Sequence, residues 1–349
     1  MVQPTIEETC LSTEQAITTY RQGARITDVD SLVVEGLSVY YETEAGTVKA
    51  VDDVSFTLKQ GERFALVGES GSGKTTLAMA LMRLTRPPGH IARGSVTLNN
   101  RDLTTLTEDE MRQARLSELS LVPQGAMNSL NPVMRIERQL TDGIVDHLAD
   151  DESITKEELS QTARDLLTRV GLRPEVARLY PHELSGGMKQ RVAMAIGISL
   201  RPSLIIADEP TSALDVSVQA HILNLLQDLK DKFNLTYIFI SHDLAVVEHL
   251  ADWVAVMYLG RLIEFGSASE VLQNPLHPYT QALMESVLTP DPRKGLPEIT
   301  FGRGLPNPLE PPSGCNFHPR CSKIIDGCDS KMPKLLPESD RLVECHLYN

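Results

Sequence analysis

The chain has 349 residues, of which 47 are acidic and 33 are basic, and its formal net charge is −14. This acidity argues against nucleic acid as the main partner, because no basic stripe is available to neutralise phosphates. No apolar run approaches the roughly 18 residues that a membrane-spanning helix needs. Residues 1–13 carry acidic side chains and no apolar core, unlike a signal peptide. We therefore expect a cytosolic chain that reaches a membrane only through a partner.

Composition divides the chain into three predicted regions. Residues 1–30 form a polar extension to which no function is assigned, residues 31–287 form the main domain, and residues 288–349 form a small tail domain rich in Pro, Gly and Cys. Five cysteines in a cytosolic protein suggest reduced thiols or metal ligands rather than disulfides. Cys10 stands far from the other four in the sequence, so we interpret it as a free thiol.

The main domain opens with strand patterns. Residues 32–34 and 37–41 are apolar and β-branched, and residues 54–58 alternate with a period of two before Gly61. Residues 94–98 precede two asparagines, as at the edge of a hairpin. These segments predict a small antiparallel sheet that leads into the rest of the domain.

A glycine-rich loop is the most specific motif. Residues 68–76 read GESGSGKTT, which fits G-x-x-x-x-G-K-[ST]. A short apolar strand precedes this loop and a helix-forming segment follows it, as a phosphate-binding loop requires. The glycines allow backbone N–H groups to turn inward, and the helix N-terminus favours an anion. Lys74 is predicted to reach the β- and γ-phosphates, and the Thr75 hydroxyl is predicted to ligate Mg²⁺.

Further apolar strands alternate with helical patterns, which predicts an α/β fold with a parallel sheet wound with helices. A helical insertion is expected at about residues 125–185, since apolar residues recur at helical spacing until Gly171. The predicted strands of this sheet are residues 63–67, 119–123, 204–207 and 235–240.

Polar side chains follow the predicted strands or the glycine loop, at the edge where such folds bind ligands. Asp208 is suited to hold Mg²⁺, usually through water, and its neighbour Glu209 can act as general base on an attacking water. The residues expected to converge at this edge are Thr75, Gln124, Asp208, Glu209 and His242.

A second anion-binding device occurs at residues 184–190, which read LSGGMKQ. Ser185 and two glycines precede a helical pattern over residues 189–200. The serine hydroxyl, the exposed backbone N–H groups and the helix dipole are therefore directed at one point, where an anion can bind. Two phosphate-binding devices in one chain suggest that the second serves a nucleotide held by another subunit.

These motifs, in this order, resemble the ATPase subunit of ATP-binding cassette (ABC) transporters over roughly residues 31–287. The resemblance implies two cassettes packed head to tail, with ATP between the loop of one and the signature of the other. Ser185 and Gly187 would then contact the partner's γ-phosphate, and Asp215 would line the dimer seam. Gln124 would sense nucleotide and help hold Mg²⁺, and His242 would hold the γ-phosphate and orient water.

The resemblance also implies an aromatic side chain stacked on adenine, for which Tyr41 is the first choice and Tyr40 the second. A core role in the strand is the alternative for either tyrosine. The full predicted nucleotide site comprises Tyr41, Gly68, Ser70, Gly71, Gly73, Lys74, Thr75, Thr76, Gln124, Ser185, Gly187, Asp208 and Asp215, with Glu209 and His242 as catalytic residues.

More narrowly, residues 128–132, residues 274–280 and the cysteine tail resemble the oligopeptide/dipeptide importer branch. Members of this branch also import nickel chelates and oligosaccharides, so both remain alternative cargoes. Residues 125–127 read GAM where the branch usually carries an acid and a proline, which leaves the permease and its cargo open. The implied partners are two membrane permeases, a second identical or homologous cassette and an external solute-binding protein, with the chain peripheral at the cytoplasmic face.

Two other functions compete with this interpretation. A cassette ATPase acting on ribosomes or DNA normally carries a second cassette or a long coiled coil, and neither is visible here. The second alternative is a metal-dependent regulator whose function depends mainly on the tail. The complete set of nucleotide-binding and catalytic motifs argues against a purely regulatory role.

Four cysteines mark the tail. Thiolates are soft ligands for iron–sulfur clusters or Zn²⁺, and the resemblance implies a [4Fe–4S] cluster on Cys315, Cys321, Cys328 and Cys345. Zinc and reduced, metal-free cysteines remain the alternatives. His318 and His346 lie close enough in the sequence to substitute as ligands.

Overall fold

A computed structural model describes residues 30–149, 153–211, 216–286 and 306–348. The predicted N-terminal extension, including Cys10, and Asp215 lie outside these ranges. Within them the strands β1 to β12 are Asp30–Thr43, Gly46–Lys59, Arg63–Val67, Gly89–Leu98, Arg101–Asp102, Leu119–Val122, Leu204–Asp208, Thr236–Ile240, Trp253–Tyr258, Arg261–Ser267, Leu335–Glu338 and Arg341–Glu344. The helices are Lys74–Leu81, Glu108–Ala114, Ile136–Val145, Lys156–Arg169, Gly186–Gly197, Val216–Phe233, Leu244–Leu250, Ala268–Gln273 and Pro278–Glu285.

An eight-stranded sheet forms the centre of the fold, in the order β11-β12-β10-β9-β3-β8-β7-β6. Strands β9, β3, β8, β7 and β6 run parallel, as the alternation of strands and helices predicts. The strand that leads into the phosphate loop, β3, lies between β9 and β8. Its carboxyl end is therefore flanked by strands on both sides.

Alternate residues of β3 enter two hydrophobic clusters on opposite faces of this sheet. Phe64 and Leu66 pack on the side of β1, β2 and the helix Lys74–Leu81. Ala65 and Val67 pack on the other side, with the apolar stripes of the helices that follow β6. Burial on both faces explains why β3 reads as a continuous apolar run, and it fixes the place where the loop begins.

The predicted antiparallel sheet is confirmed. Its four strands run in the order β2-β1-β4-β5, and the short hairpin edge at residues 94–98 corresponds to the end of β4, which pairs with β5. The sheet lies on the same face as the helix Lys74–Leu81 and shares its cluster. Residues of β2 are thereby brought next to the phosphate loop.

The predicted helical insertion forms two helices, Ile136–Val145 and Lys156–Arg169. The second begins with a capping box in which Thr155 and Glu158 exchange hydrogen bonds. The signature helix begins at Gly186 and ends at Gly197, three residues before each predicted end, because Ser185 caps it directly. No helix within the described ranges is long and apolar enough to cross a membrane.

The described part of the predicted tail domain adds two strands to the central sheet. Strand β12 pairs antiparallel with β10, and β11 pairs with β12. Phe317, Leu335 and Leu342 are buried in the same two clusters as the core. The Pro and Gly content predicted loops, and it did not indicate where the few apolar residues of the tail pack.

Candidate active site

The phosphate loop occupies residues 68–73, between β3 and the helix Lys74–Leu81. Gly68 has φ +145° and a Cβ there would lie 2.3 Å from the Met257 carbonyl oxygen. Gly73 has φ +103° and a Cβ there would lie 2.2 Å from the Ala50 carbonyl oxygen. Both positions therefore require glycine for backbone conformation and for space. The neighbouring β2 and β9 strands fix the shape of the loop.

Lys74 is buried beneath this loop. Its ammonium donates to the carbonyl oxygens of Gly68 and Glu69, both at 2.8 Å, and to the Ser72 hydroxyl at 3.2 Å. Burial lowers the pKa of Lys74, and the nearby carboxylates of Glu209 and Asp208 oppose this shift. A cation held inside the loop in this way is placed for electrostatic attraction to phosphate oxygens.

Asp208 ends β7 and is buried. Neither of its carboxylate oxygens has a hydrogen-bond partner of ordinary geometry within the described residues. Burial raises its pKa, while the Thr75 hydroxyl and the Lys74 ammonium oppose the shift. A buried carboxylate without hydrogen bonds is costly, so its two oxygens fit a cation or water ligands beside Thr75, as Mg²⁺ would supply.

Glu209 lies between two other predicted site residues. Its Oε2 accepts from Gln124 Nε2 at 2.8 Å, and its Oε1 lies 3.2 Å from His242 Nδ1. These residues follow three neighbouring strands, β6, β7 and β8, so the sheet itself brings them together. Glu209 adopts φ +47°, an unusual conformation for a residue other than glycine. Its backbone N–H donates to the Ile240 carbonyl at 3.0 Å, which stabilises this turn.

A cavity of about 350 Å³ opens over the loop. Its lining includes Ser70, Gly71, Gly73, Lys74, Thr75, Thr76, Gln124 and Glu209, together with β2 residues from Val48 to Asp52. Most of the predicted nucleotide residues therefore share one cavity. Leu259 and Gly260 also line it, and the tail contributes a further wall through Pro308, Pro311, Pro312, Asn316 and Met332. That contribution was not predicted.

Tyr41, the first choice for stacking on adenine, is not in this lining. Its ring packs beside Gly89, where an added Cβ would lie 2.5 Å from a ring carbon, and it contacts the hydrophobic cluster that contains Phe64 and Leu66. Tyr40 lies closer, because its hydroxyl donates to Asp52 Oδ1 at 2.8 Å and Asp52 lines the cavity. Neither tyrosine lines the cavity, so the adenine-stacking residue stays a prediction.

Ser185 and Gly187 lie at the start of the signature helix and do not line this cavity. The Ser185 hydroxyl is exposed and accepts from the Met188 N–H at 3.4 Å. A Cβ at Gly187 would lie 2.6 Å from Val218, so glycine permits close packing of two helices there. The structure thus separates the signature from the phosphate loop of its own chain.

The four tail cysteines come together, although no metal site is formed. Cys328 and Cys345 are buried, Cys315 and Cys321 are half-buried, and the Cys315 N–H donates to the Cys328 carbonyl at 2.8 Å. Burial raises the pKa of Cys315 to about 12 and that of Cys345 to about 11, so both thiols are protonated at neutral pH.

Among the described residues no group of three or more His, Cys, Asp or Glu side chains is placed to hold a metal ion. The predicted [4Fe–4S] cluster and the alternative zinc ion therefore have no support from the structure. The possible substitute ligands bond elsewhere, because His318 Nδ1 lies 3.0 Å from the Cys315 carbonyl and His346 Nε2 lies 2.7 Å from the Lys331 carbonyl. Sequence spacing indicated that the cysteines converge, but it could not indicate ligand geometry.

Sequence reasoning also missed two residues, Tyr279 and Arg320, that hold the phosphate loop from outside through Glu69. Glu69 accepts two hydrogen bonds from Arg320, and its backbone N–H donates to the Tyr279 hydroxyl. Tyr279 belongs to the motif at residues 274–280, which was used only to assign the branch. Arg320 lies in the cysteine tail, and no local sequence pattern there indicates its ion pair with Glu69.

A parallel sheet, a phosphate loop at the carboxyl end of β3 and a Gln–Glu–His set beside it define a P-loop ATPase. A family profile described as ABC transporter matches residues 51–212, and one described as oligopeptide/dipeptide transporter, C-terminal region, matches residues 263–328.

The relatives extend over almost the whole chain. A probable peptide ABC transporter ATP-binding protein of Sinorhizobium fredii is 45% identical over 90% of this chain and 89% of its own. The oligopeptide transport ATP-binding protein AppF of Bacillus subtilis is 42% identical over 88% and 92%. The chain belongs to the ABC transporter family, as an ATP-hydrolysing subunit.

A solved dimer of an ATP-binding cassette in a post-hydrolysis state, bound to ADP and Pi, superposes with a TM-score of 0.62 at 25% identity. It covers 68% of this chain and 98% of its own.

Proposed function

We propose that the chain is the ATP-hydrolysing subunit of a peptide importer. The observation that carries this proposal is the match of the C-terminal region, residues 263–328, to the oligopeptide/dipeptide transporter family. That region lies outside the cassette match at residues 51–212, so it indicates a class of transporter, which the cassette match alone does not. Relatives named for oligopeptide and for di- or tripeptide transport support the same cargo class.

The nucleotide would lie in the 350 Å³ cavity, with its phosphates over Lys74 and the N-terminus of the helix Lys74–Leu81. Thr75, Asp208 and Gln124 are the proposed holders of Mg²⁺, which supplies charge neutralisation to the β- and γ-phosphate oxygens when bound. The two unpartnered oxygens of Asp208 support this assignment.

Glu209 is the proposed general base. Its carboxylate lines the cavity and is oriented from both sides, by Gln124 at 2.8 Å and by His242 at 3.2 Å. In this position it can polarise a water molecule that attacks the γ-phosphate. His242 is proposed to contact the γ-phosphate as well, because its side chain is 67% exposed beside Glu209, which lines the cavity.

A second cassette completes the proposed site. Ser185 and Gly187 lie outside the lining of their own chain's cavity, which fits a role at the partner's γ-phosphate, and Asp215 is assigned to the dimer seam by the resemblance alone. The similarity to a dimeric cassette bound to ADP and Pi supports this arrangement. Two membrane permeases, an external solute-binding protein and a position at the cytoplasmic face complete the proposed assembly.

The iron–sulfur cluster is not part of this proposal, because the described cysteines form no metal-binding group. Oligosaccharides and nickel chelates remain the competing cargoes, because their import would use the same kind of ATP-hydrolysing subunit. A cassette ATPase unconnected to transport is disfavoured by the match of residues 263–328 to a transporter region.

The test is reconstitution of the chain in proteoliposomes with two membrane permeases and a solute-binding protein of the peptide-importer family. We expect external peptide to stimulate ATP hydrolysis and to be taken up only when ATP is supplied on the cassette side. The same complex with Lys74→Ala is the matched control, because it assembles but cannot hold the phosphates. Uptake of an oligosaccharide or a nickel chelate, with no response to peptides, would contradict the proposed cargo while leaving the ATPase assignment intact.

A further inference from the structure

Glu69 is the second residue of the phosphate loop, and all of its polar groups are engaged. Its carbonyl oxygen accepts from Lys74 at 2.8 Å, and its N–H donates to the Tyr279 hydroxyl at 2.8 Å. Its two carboxylate oxygens accept from the two terminal nitrogens of Arg320 at 2.8 and 2.9 Å. The loop pattern G-x-x-x-x-G-K-[ST] leaves this position free, so the pattern itself does not require a glutamate.

Arg320 belongs to the cysteine tail, in the short turn His318–Arg320 that precedes Cys321. Its side chain is only 5% exposed. The guanidinium lies 5.8 Å from the ring centroid of Tyr258 and 5.9 Å from that of Phe317. A planar bidentate pair between Arg and a carboxylate fixes direction as well as distance.

The residues around this pair form a rigid aromatic group. The rings of Tyr258, Tyr279 and Phe317 lie 4.7 to 5.4 Å apart, centroid to centroid. His277 lies 5.8 Å from Phe317 and accepts the Tyr279 N–H at Nδ1, which orients Tyr279 toward the loop. One end of the motif at residues 274–280 is thus fixed to the tail, and its tyrosine is fixed to Glu69.

A buried ion pair is weak evidence for stability, because desolvation offsets its attraction, but it does impose geometry. Here the geometry imposed is that of the loop whose carbonyl groups hold Lys74. The tail also supplies one wall of the same cavity, through Pro308, Asn316 and Met332 among others. Two separate observations therefore connect the tail to the nucleotide cavity.

We propose that Arg320 is a positioning residue for ATP binding, acting through Glu69 to hold the phosphate loop in its binding geometry. The cysteine tail then contributes directly to ATP binding. A change in the packing of the turn between Cys315 and Cys321 would therefore shift the phosphate loop and change its contacts with the bound phosphates. This inference rests on the proposed binding of ATP at the phosphate loop.

The test is a double-mutant cycle on the full-length chain, with Arg320→Met, Glu69→Gln and the double variant. Affinity for a fluorescent ATP analogue with Mg²⁺ is measured by titration, and KM and kcat are measured by phosphate release. We expect Arg320→Met to weaken nucleotide binding about tenfold, the scale of losing one charge-assisted pair. In the Glu69→Gln background the same substitution should change binding less than about twofold, because the coupling is already absent.

Arg341 provides the matched control. It is another buried tail arginine, 4% exposed, and it binds Glu270 at 2.9 Å without contacting the phosphate loop. Arg341→Met should lower the melting temperature yet leave nucleotide affinity within about twofold. Arg320→Lys keeps the charge without the bidentate geometry and should rescue part of the loss; it also replaces Arg320→Met in the cycle if that variant does not fold.

The inference would be overturned if Arg320→Met lowered nucleotide affinity equally in the native and the Glu69→Gln backgrounds, or in neither of them. A different result is expected if ATP does not bind at the phosphate loop at all. In that case the unsubstituted chain would bind no nucleotide, and Lys74→Ala would change nothing.

Discussion

Replacing Glu209 by Gln removes the proposed base and little else. The structure supports this because Gln can accept from Gln124 with its amide oxygen and donate to His242 Nδ1 with its amide nitrogen, at the 2.8 and 3.2 Å separations seen for Glu209. We therefore expect the free energy of unfolding to change by less than about 1 kcal/mol. Nucleotide binding should be retained or tightened, since one negative charge leaves the neighbourhood of the γ-phosphate.

Hydrolysis should behave differently. A positioned general base contributes about 10²- to 10⁴-fold to a rate, which corresponds to roughly 3–5 kcal/mol of the barrier. Phosphate release by Glu209→Gln should fall by that factor, and ATP should hold the variant as a dimer in size-exclusion chromatography. Glu175→Gln, the same chemical change at an exposed position, is the control and should hydrolyse at the native rate. A Glu209→Gln enzyme within about threefold of native hydrolysis would refute the assignment of the base.

Three other substitutions test separate parts of the site and fold. Asp208→Asn should abolish Mg²⁺-dependent hydrolysis yet raise the melting temperature of the nucleotide-free chain, because burial disfavours the charged carboxylate and raises its pKa; a lower melting temperature would contradict this. Gly73→Ala should cost about 1–3 kcal/mol of stability and impair nucleotide binding more than Gly71→Ala does, since both have positive φ but only Gly73 faces a backbone oxygen. Burial lowers the pKa of His277 to about 3, so its contribution to stability is complete above pH 6.5 and is lost as pH falls toward 3. At pH 5 this loss is about 2 kcal/mol, and urea denaturation at pH 7.5 and pH 5 should show it in the native chain and in the exposed control His90→Gln, but not in His277→Gln.

The nucleotide motifs could be predicted because each depends on local chemistry. Gly68 and Gly73 are required by backbone conformation, and Glu209 follows the buried strand that carries Asp208 to the sheet edge. The convergence of Gln124, Glu209 and His242 followed from the rule that ligands bind beyond the carboxyl ends of parallel strands. These inferences needed only the order of strands and helices.

The missed features depend on contacts between segments far apart in sequence. Arg320 and Glu69 are separated by 251 positions, and nothing in the local pattern of either residue indicates the other. The direction of Tyr41 depends on the register of β1 against β2, which shifts at several irregularities between Asp30 and Tyr40. One such shift exchanges the two faces of a strand, so the choice between Tyr40 and Tyr41 could not be made from the sequence.

Several unfavourable features of the empty fold meet at one edge of the sheet. Lys74 is a buried cation, Asp208 is a buried carboxylate without hydrogen bonds, and Glu209 adopts φ +47°. Each costs stability when considered alone. We expect a nucleotide with Mg²⁺ to reduce the first two costs, since phosphate oxygens would pair with Lys74 and a hydrated cation would pair with Asp208. Two of the three unfavourable groups at this edge are therefore those that the proposed ligand would satisfy.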